Sequence, residues 1–397
     1  RRDGMRLPDT EAARRVFGEL AASVSNALGA GVAHRRRLGD IDTRIVVSGV
    51  RGKSTATRWL HDVFERRGYD TYAKVTGNHP VSVYNGTERV VERDEQVRLY
   101  ENERELRGVE NVDVAIFENQ GIRQYTTRLV NQSFVDPHVV FLTNVREDHL
   151  DTMGRDRQQI ARSLARAVPR GTPVVSGESD ERLQSYLTAE LRRRDAPVTH
   201  VDPPEADADI PGVELVYGLS DILDVLDEPP IPASELDRKL GTMVPEWRVL
   251  PNGYVHDAAS VNDVQSTELV RRALVGPDGP PTVPLVFLRA DRRGRTASFV
   301  RYLGRLLDNG AAECVYVVGG GRQAFAANVD GDIRQYDHTS TAPADVLDDA
   351  LSARGRVVVM GNTVDDFMRE LADVIRSRTV GTERPLGIRV PEHVDTV

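Results

Sequence analysis

Cysteine is almost absent from this 397-residue chain: Cys314 stands alone, which excludes an intrachain disulfide and a disulfide-stapled scaffold. Its setting, Cys314-Val315-Tyr316-Val317-Val318, suits a buried structural thiol better than a nucleophile. Lysine is nearly as scarce. Only Lys53, Lys74 and Lys239 stand among 52 cationic side chains, a usage that fits a GC-rich genome or, as we read it, a salt-adapted host. No apolar stretch approaches the roughly 18–20 residues that span a bilayer. The formal net charge of −9 offers no broad basic face for phosphate backbones, so nucleic acid is not expected as a partner. The chain opens on Arg1, so an upstream segment, such as a membrane anchor, is left open.

What is present is an ordinary globular composition, 40% apolar and 28% charged, in a length that one core seldom organises. Residues 1–38 read as one helix within an N-terminal segment of 1–43. From Arg44 the pattern turns to strand, glycine-rich turn and helix, with further strands at Val112–Phe117, Val139–Thr143 and Pro173–Ser176 and a helix at Arg157–Val168. Buried apolar strands alternating with helices predict a mostly parallel sheet. Residues 202–234, rich in Pro and Asp, leave room for one short helical piece. A second α/β series follows, with strands at Pro284–Leu288, Glu313–Val318 and Arg356–Met360 and helices at Thr296–Leu307 and Val364–Ser377. The tail after Arg378 reads as extended and weakly ordered. The fold class is α/β, with a first domain over 44–242 and a smaller Rossmann-like domain over 243–397.

Gly49-Val50-Arg51-Gly52-Lys53-Ser54-Thr55 lies between the first strand and its helix, where backbone N–H groups and a helix N-terminus cradle phosphates. Val47 replaces the first glycine of the longer pattern, leaving the short G-x-x-G-K-[ST] form. Lys53 is placed to reach β/γ-phosphates and Ser54 to ligate Mg²⁺, which makes this a P-loop for ATP. Glu118 ends the strand Val112–Phe117, at the carboxyl edge where open α/β sheets place ligands. Asn144-Val145-Arg146-Glu147-Asp148-His149 follows the next strand. His149 offers an imidazole nitrogen to a metal, with Asp148 beside it to orient it. A parallel sheet brings all three groups to one edge. The turn Thr76-Gly77-Asn78 belongs to the same edge, and Lys74 before it reads either as a contact for anionic substrate or as a surface residue.

These motifs, in this order, resemble the Mur ligases, enzymes that join an amino acid to a carboxylate with ATP. Within that group the likeness is greatest to the ATPase subunits of poly-γ-glutamate synthases. It rests on Val50 through Thr55 and Asn144 through Gly154, then on Val261-Asn262-Asp263, Ser266-Thr267, Arg289-Ala290-Asp291-Arg292 and Gly361-Asn362. The resemblance implies a Mur-type central ATPase domain followed by a C-terminal ligase domain, with ATP and Mg²⁺ as cofactors. It implies a nucleotide site of Gly49, Arg51, Gly52, Lys53, Ser54, Thr55, Asn144, Asp263 and Asp291, and a Mg²⁺ site of Ser54, Glu118 and His149. Asn78 would lie near the acyl phosphate, and Arg289 and Arg292 would close over nucleotide or acceptor, completing a catalytic set with Lys53, Glu118 and His149. The implied function is elongation of poly-γ-glutamate through an acyl phosphate, with glutamate or the polymer as acceptor. A small integral membrane subunit would be its partner, at the cytoplasmic face of the membrane, and the resemblance leaves room for a homo-oligomer.

The chain departs from that pattern in three places. No lysine occurs between 75 and 238 to serve as the carbamylated lysine of many Mur ligases. No asparagine-rich adenine-binding helix is evident around Tyr217–Leu226. The 43 leading residues hold no separate domain for a UDP-linked precursor, which favours a free or polymeric substrate. Three other functions fit the P-loop: a Mur-type ligase for another acceptor, an ATP-binding energising subunit that needs a membrane partner, and a P-loop kinase.

Overall fold

The computed structural model describes residues 31–77, 80–93, 98–147, 152–261, 263–361 and 363–388. The proposed helix 1–38 falls largely outside them; residues 31–39 are helical and lead into the first strand. Two sheets organise the described chain. The first runs β4-β3-β2-β5-β1-β6-β7-β8, formed by β1 Thr43–Ser48, β2 Thr71–Val75, β3 Val81–Tyr84, β4 Thr87–Val90, β5 Val114–Glu118, β6 Val139–Leu142, β7 Val174–Ser176 and β8 Val198–His200. β2, β5, β1, β6, β7 and β8 are mutually parallel, while β3 and β4 form an antiparallel extension. The central strands are apolar on both faces because helices cover both. One core gathers around Val46, Phe117 and Leu142, the other around Ile45, Val47 and Phe141.

The second sheet runs β13-β12-β11-β14-β10-β9-β15, from β9 Trp247–Leu250, β10 Gly253–Asp257, β11 Val283–Phe287, β12 Cys314–Val318, β13 Asp332–Tyr336, β14 Arg356–Met360 and β15 Gly381–Glu383. Its five strands from β13 to β10 are parallel, with β9 and β15 antiparallel at one edge. The two-domain α/β expectation is borne out. Cys314 is buried, as its apolar run implied.

Two segments differ from the sequence reading. The stretch taken as holding one short helical piece contains the helix Val213–Val225, followed by Ala233–Met243; the first buries Val213, Leu215, Val216, Leu219, Ile222 and Leu223, a helical spacing diluted by neighbouring Pro and Asp. The tail is not wholly loose: β15 pairs with β9 from Gly381↔Val249 to Glu383↔Trp247.

In the first sheet β1 sits between β5 and β6. The connection from β1 leads to one side and the connection from β5 returns to the other, which is the topological switch point where open α/β sheets bind ligands.

Candidate active site

The loop after β1 enters the helix Lys53–Arg66 through Gly52 at φ 79°, while Gly49 stands at φ 109°. Glycine is required at 49 on two counts. The φ suits few L-residues, and a Cβ there would lie 2.8 Å from the Thr143 backbone nitrogen. The loop is thus pressed against the start of the segment after β6. Asn144 stitches the two together: its Oδ1 accepts from the Arg51 N–H at 3.0 Å, its Nδ2 donates to the Arg51 carbonyl at 3.2 Å, and its own carbonyl accepts from the Val50 N–H at 3.2 Å. Asn144 therefore shapes the phosphate loop. Lys53 Nζ donates to the carbonyls of Gly49 and Val50 at 3.1 and 3.2 Å, so its ammonium lies over the loop.

Glu118 ends β5 and is only 4% exposed. Its Oε2 accepts from Ser54 Oγ at 2.9 Å and from the Thr76 N–H at 2.7 Å. The register Val47↔Glu118 explains the meeting, since paired residues of parallel strands project to one face, here the face covered by the helix that starts at Lys53. A buried carboxylate beside a hydroxyl is a hard oxygen donor set that suits Mg²⁺, and a Cβ on Gly77 would come within 3.4 Å of Ser54 Oγ. The residues fit such an ion. Asn78, Asp148 and His149 lie outside the described residues.

The turn after β2 is held at both sides of one residue. While the Thr76 N–H reaches Glu118, the Thr76 carbonyl accepts from Arg93 Nη1 at 3.1 Å. Arg93 also binds Glu101 through Nε at 3.0 and 3.1 Å, and Lys74 Nζ lies 3.4 Å from the same carboxylate and 3.0 Å from Asn102 Oδ1. Lys74 is fully buried; this corrects both readings made of it, as a surface residue and as a contact for substrate. Burial lowers its pKa to about 8, against the opposing pull of Glu101.

The second domain meets the phosphate loop directly. Asp263 caps the helix Val264–Val275, its Oδ1 accepting from the Ser266 N–H at 2.9 Å, and its Oδ2 accepts from Arg51 Nε at 3.0 Å. Arg146 Nη2 donates to Glu214 Oε1 at 3.0 Å, its Nη1 binds Ser266 Oγ, and the Glu147 N–H donates to Gln265 Oε1 at 3.0 Å. Between the domains opens a cleft of about 820 Å³, lined from one side by Arg51, Gly52 and Glu214 and from the other by His256, Asp257 and Ser260. Arg146 stood in the motif after β6 with no role assigned to it, and Glu214 and Glu178 were not singled out by the sequence. Glu178 stands two residues beyond β7, at the same sheet edge where Glu118 closes β5, a signal that could have found it; its carboxylate holds the Val145 N–H at 2.9 Å and Arg157 at 2.8 Å.

Not every expected residue joins this constellation. Arg289 donates to Asp291 at 2.8 and 2.7 Å, and Arg292 lies 4.0 Å from that carboxylate. The Arg289 side chain, beyond β11, is thus turned to Asp291, and its bond holds the Asp291 carboxyl below its usual pKa.

Comparison with known proteins agrees with this geometry. Residues 47–196 match the Mur ligase middle domain, and residues 251–378 match the C-terminal domain of poly-gamma-glutamate synthase CapB. The capsule biosynthesis protein CapB of Bacillus anthracis is 27% identical over 152 residues, 37% of this chain but only 33% of that protein. The PGA synthase CapB of Bacillus subtilis is 23% identical over 299 residues, 67% of this chain and 72% of that protein. Among solved structures, E. coli FolC in complex with DHPP and ADP has a TM-score of 0.61 at 15% identity, over 88% of this chain and 93% of FolC. MurF from Acinetobacter baumannii also reaches 0.61, at 12% identity, over 87% of this chain and 79% of MurF. The resemblance read from the motifs is borne out, and the last two likenesses are likenesses of fold.

Proposed function

We propose that this chain, which pairs a Mur ligase middle domain with a CapB-type C-terminal domain, is an ATP-dependent ligase that joins a carboxylate to an amine and thereby elongates poly-γ-glutamate. One observation carries the chemistry: the P-loop, the Ser54–Glu118 pair and, from the other domain, Asp263 meet at one sheet edge. The γ-phosphoryl group of ATP passes to the acceptor carboxylate, giving ADP and an acyl phosphate; the glutamate amine attacks the acyl carbon, a C–N bond forms and phosphate leaves. Loop N–H groups and Lys53 hold the phosphates and meet the charge that develops on them. Ser54 and Glu118 would hold Mg²⁺, with His149 as the further proposed ligand, and a bound cation would neutralise phosphate charge. Asn78 is proposed beside the acyl phosphate.

The cleft between the domains suits the rest of the nucleotide, and closure around it excludes water that would hydrolyse an acyl phosphate. Arg289 and Arg292 are proposed to turn from Asp291 to an acceptor carboxylate, for which guanidinium forks are well shaped. The likeness to capsule and polymer synthases supports glutamate or its polymer as substrate and, further out, a small integral membrane subunit at the cytoplasmic face of a membrane. Among the described residues no helix is long and apolar enough to cross one.

Phosphate release with ATP, Mg²⁺ and a panel of amino acids and γ-glutamyl oligomers tests this, with mass spectrometry of the product. Glutamate or its oligomers should stimulate release and yield an amide, and Lys53→Ala should abolish both. Stimulation by another amino acid alone would retain the ligase and discard the polymer. ATP binding that no acceptor stimulates would point to an energising subunit.

A further inference from the structure

The chain is acidic overall, yet between Arg289 and Arg305 it places six arginines against one carboxylate, Asp291. Elsewhere arginines are commonly paired, as Arg271 and Arg272 are with Glu268 at 2.8 and 2.7 Å. Arg301 and Arg305 differ. They stand one turn apart on the exposed side of the helix Arg293–Asp308 and have no ion-pair partner among the described residues; Arg305 Nε reaches only the Arg301 carbonyl, at 3.3 Å.

Both line a groove between this helix and Val264–Val275. It consists of two adjoining hollows, about 470 and 360 Å³, that share Val264, Gln265 and Arg305. Leu269, 41% exposed, and Leu306 supply apolar lining. Glu268 is already occupied by Arg271, Arg272 and the Tyr302 hydroxyl, so beyond the Glu147 carboxylate at one end the unpaired charge along the groove is positive. Its near end is Glu147, whose N–H is bound to Gln265. Two residues before Gln265 stands Asp263, the partner of Arg51 in the phosphate loop. The groove therefore begins beside the phosphate site and runs away from it along the second domain.

We propose that this groove binds the acceptor as an extended polycarboxylate chain, with successive carboxylates on Arg301 and Arg305 and intervening methylenes on Leu269 and Leu306. Guanidinium groups on a helix at i and i+4 rise from Cβ atoms about 5–6 Å apart, which suits a repeating anion better than a single one. The site would prefer long acceptors over free glutamate, because only a chain reaches past Glu147. The proposal rests on the ligase reading above for its substrate class.

Binding can be measured apart from turnover, by fluorescence anisotropy of labelled γ-glutamyl oligomers on the full chain, without ATP. Long oligomers should bind more tightly than short ones. Arg301→Gln with Arg305→Gln should weaken the long oligomer on the order of tenfold, while Arg301→Lys with Arg305→Lys retains part of the affinity. The salt dependence should flatten in the glutamine pair, and nucleotide affinity serves as the folding control. Equal affinity in wild type and the glutamine pair would overturn the proposal. So would absence of oligomer binding, or equal competition by duplex DNA, which would mark an indiscriminate anion surface. Oligomer binding that depends on both arginines, in a protein that forms no amide, would uphold the groove and overturn the ligase reading.

Discussion

Lys74 shows how much one side chain depends on surroundings that its local sequence does not display. In Thr71-Tyr72-Ala73-Lys74-Val75 a lone lysine reads as exposed, because strands that face water alternate. β2 is flanked by β3 and β5 and every one of its residues is buried, so alternation there says nothing about exposure. The burial of Lys74, which outweighs the pull of Glu101, gives a pH signature. Lys74 titrates near 8 in the folded protein, below the usual lysine value, so between about pH 8 and pH 10.5 the unfolded chain holds more protons. Its contribution to stability is then complete above the unfolded pKa and is lost as pH falls through about 8. Thermal denaturation of wild type and Lys74→Met across this range should show wild type gaining relative to the variant as pH rises. A constant difference would refute the assignment.

At the scale of elements, the phosphate loop was the most legible part, since seven consecutive residues carry its chemistry. Glu118 was legible for a related reason: a carboxylate directly after an apolar strand needs only the rule that parallel strands share a functional edge. The contact that fixes the loop's shape was less so. Asn144 was expected at the nucleotide; its hydrogen bonds tie Arg51 to the segment after β6, a link between residues 93 positions apart. Gly49 tests this arrangement. With φ at 109° and Thr143 backbone in the way, Gly49→Ala should cost about 1–3 kcal/mol of stability and reduce ATP affinity more than Gly68→Ala, where a Cβ meets nothing within 4 Å. Calorimetric melting and nucleotide titration measure the two effects.

For the whole molecule the central contact is Arg51 with Asp263, 212 positions apart. Sequence analysis assigned each to nucleotide binding; that they bind each other depends on how the two domains sit, which no local pattern encodes. Because Asp263 is only 2% exposed at its side chain and Arg51 23%, the pair is partly shielded. A double-mutant cycle of Arg51→Ala and Asp263→Asn should give a coupling of about 0.5–3 kcal/mol in unfolding free energy, and each single variant should raise the KM for ATP. Additive effects would separate the two residues. Arg51 lines the cleft as well, so phosphates arriving there would compete with Asp263 for the same guanidinium.

The pairing of β15 with β9 has a different kind of consequence. β9 would be the border of the second sheet if the chain stopped at Arg378, and its row of backbone donors and acceptors would then be free to recruit a strand from a neighbouring molecule. Three residues, Gly381–Glu383, occupy that row through Trp247, Arg248 and Val249. A segment that contributes little to the core thus guards against self-association, and trimming the tail at this point would first be felt as aggregation and only afterwards as lost catalysis.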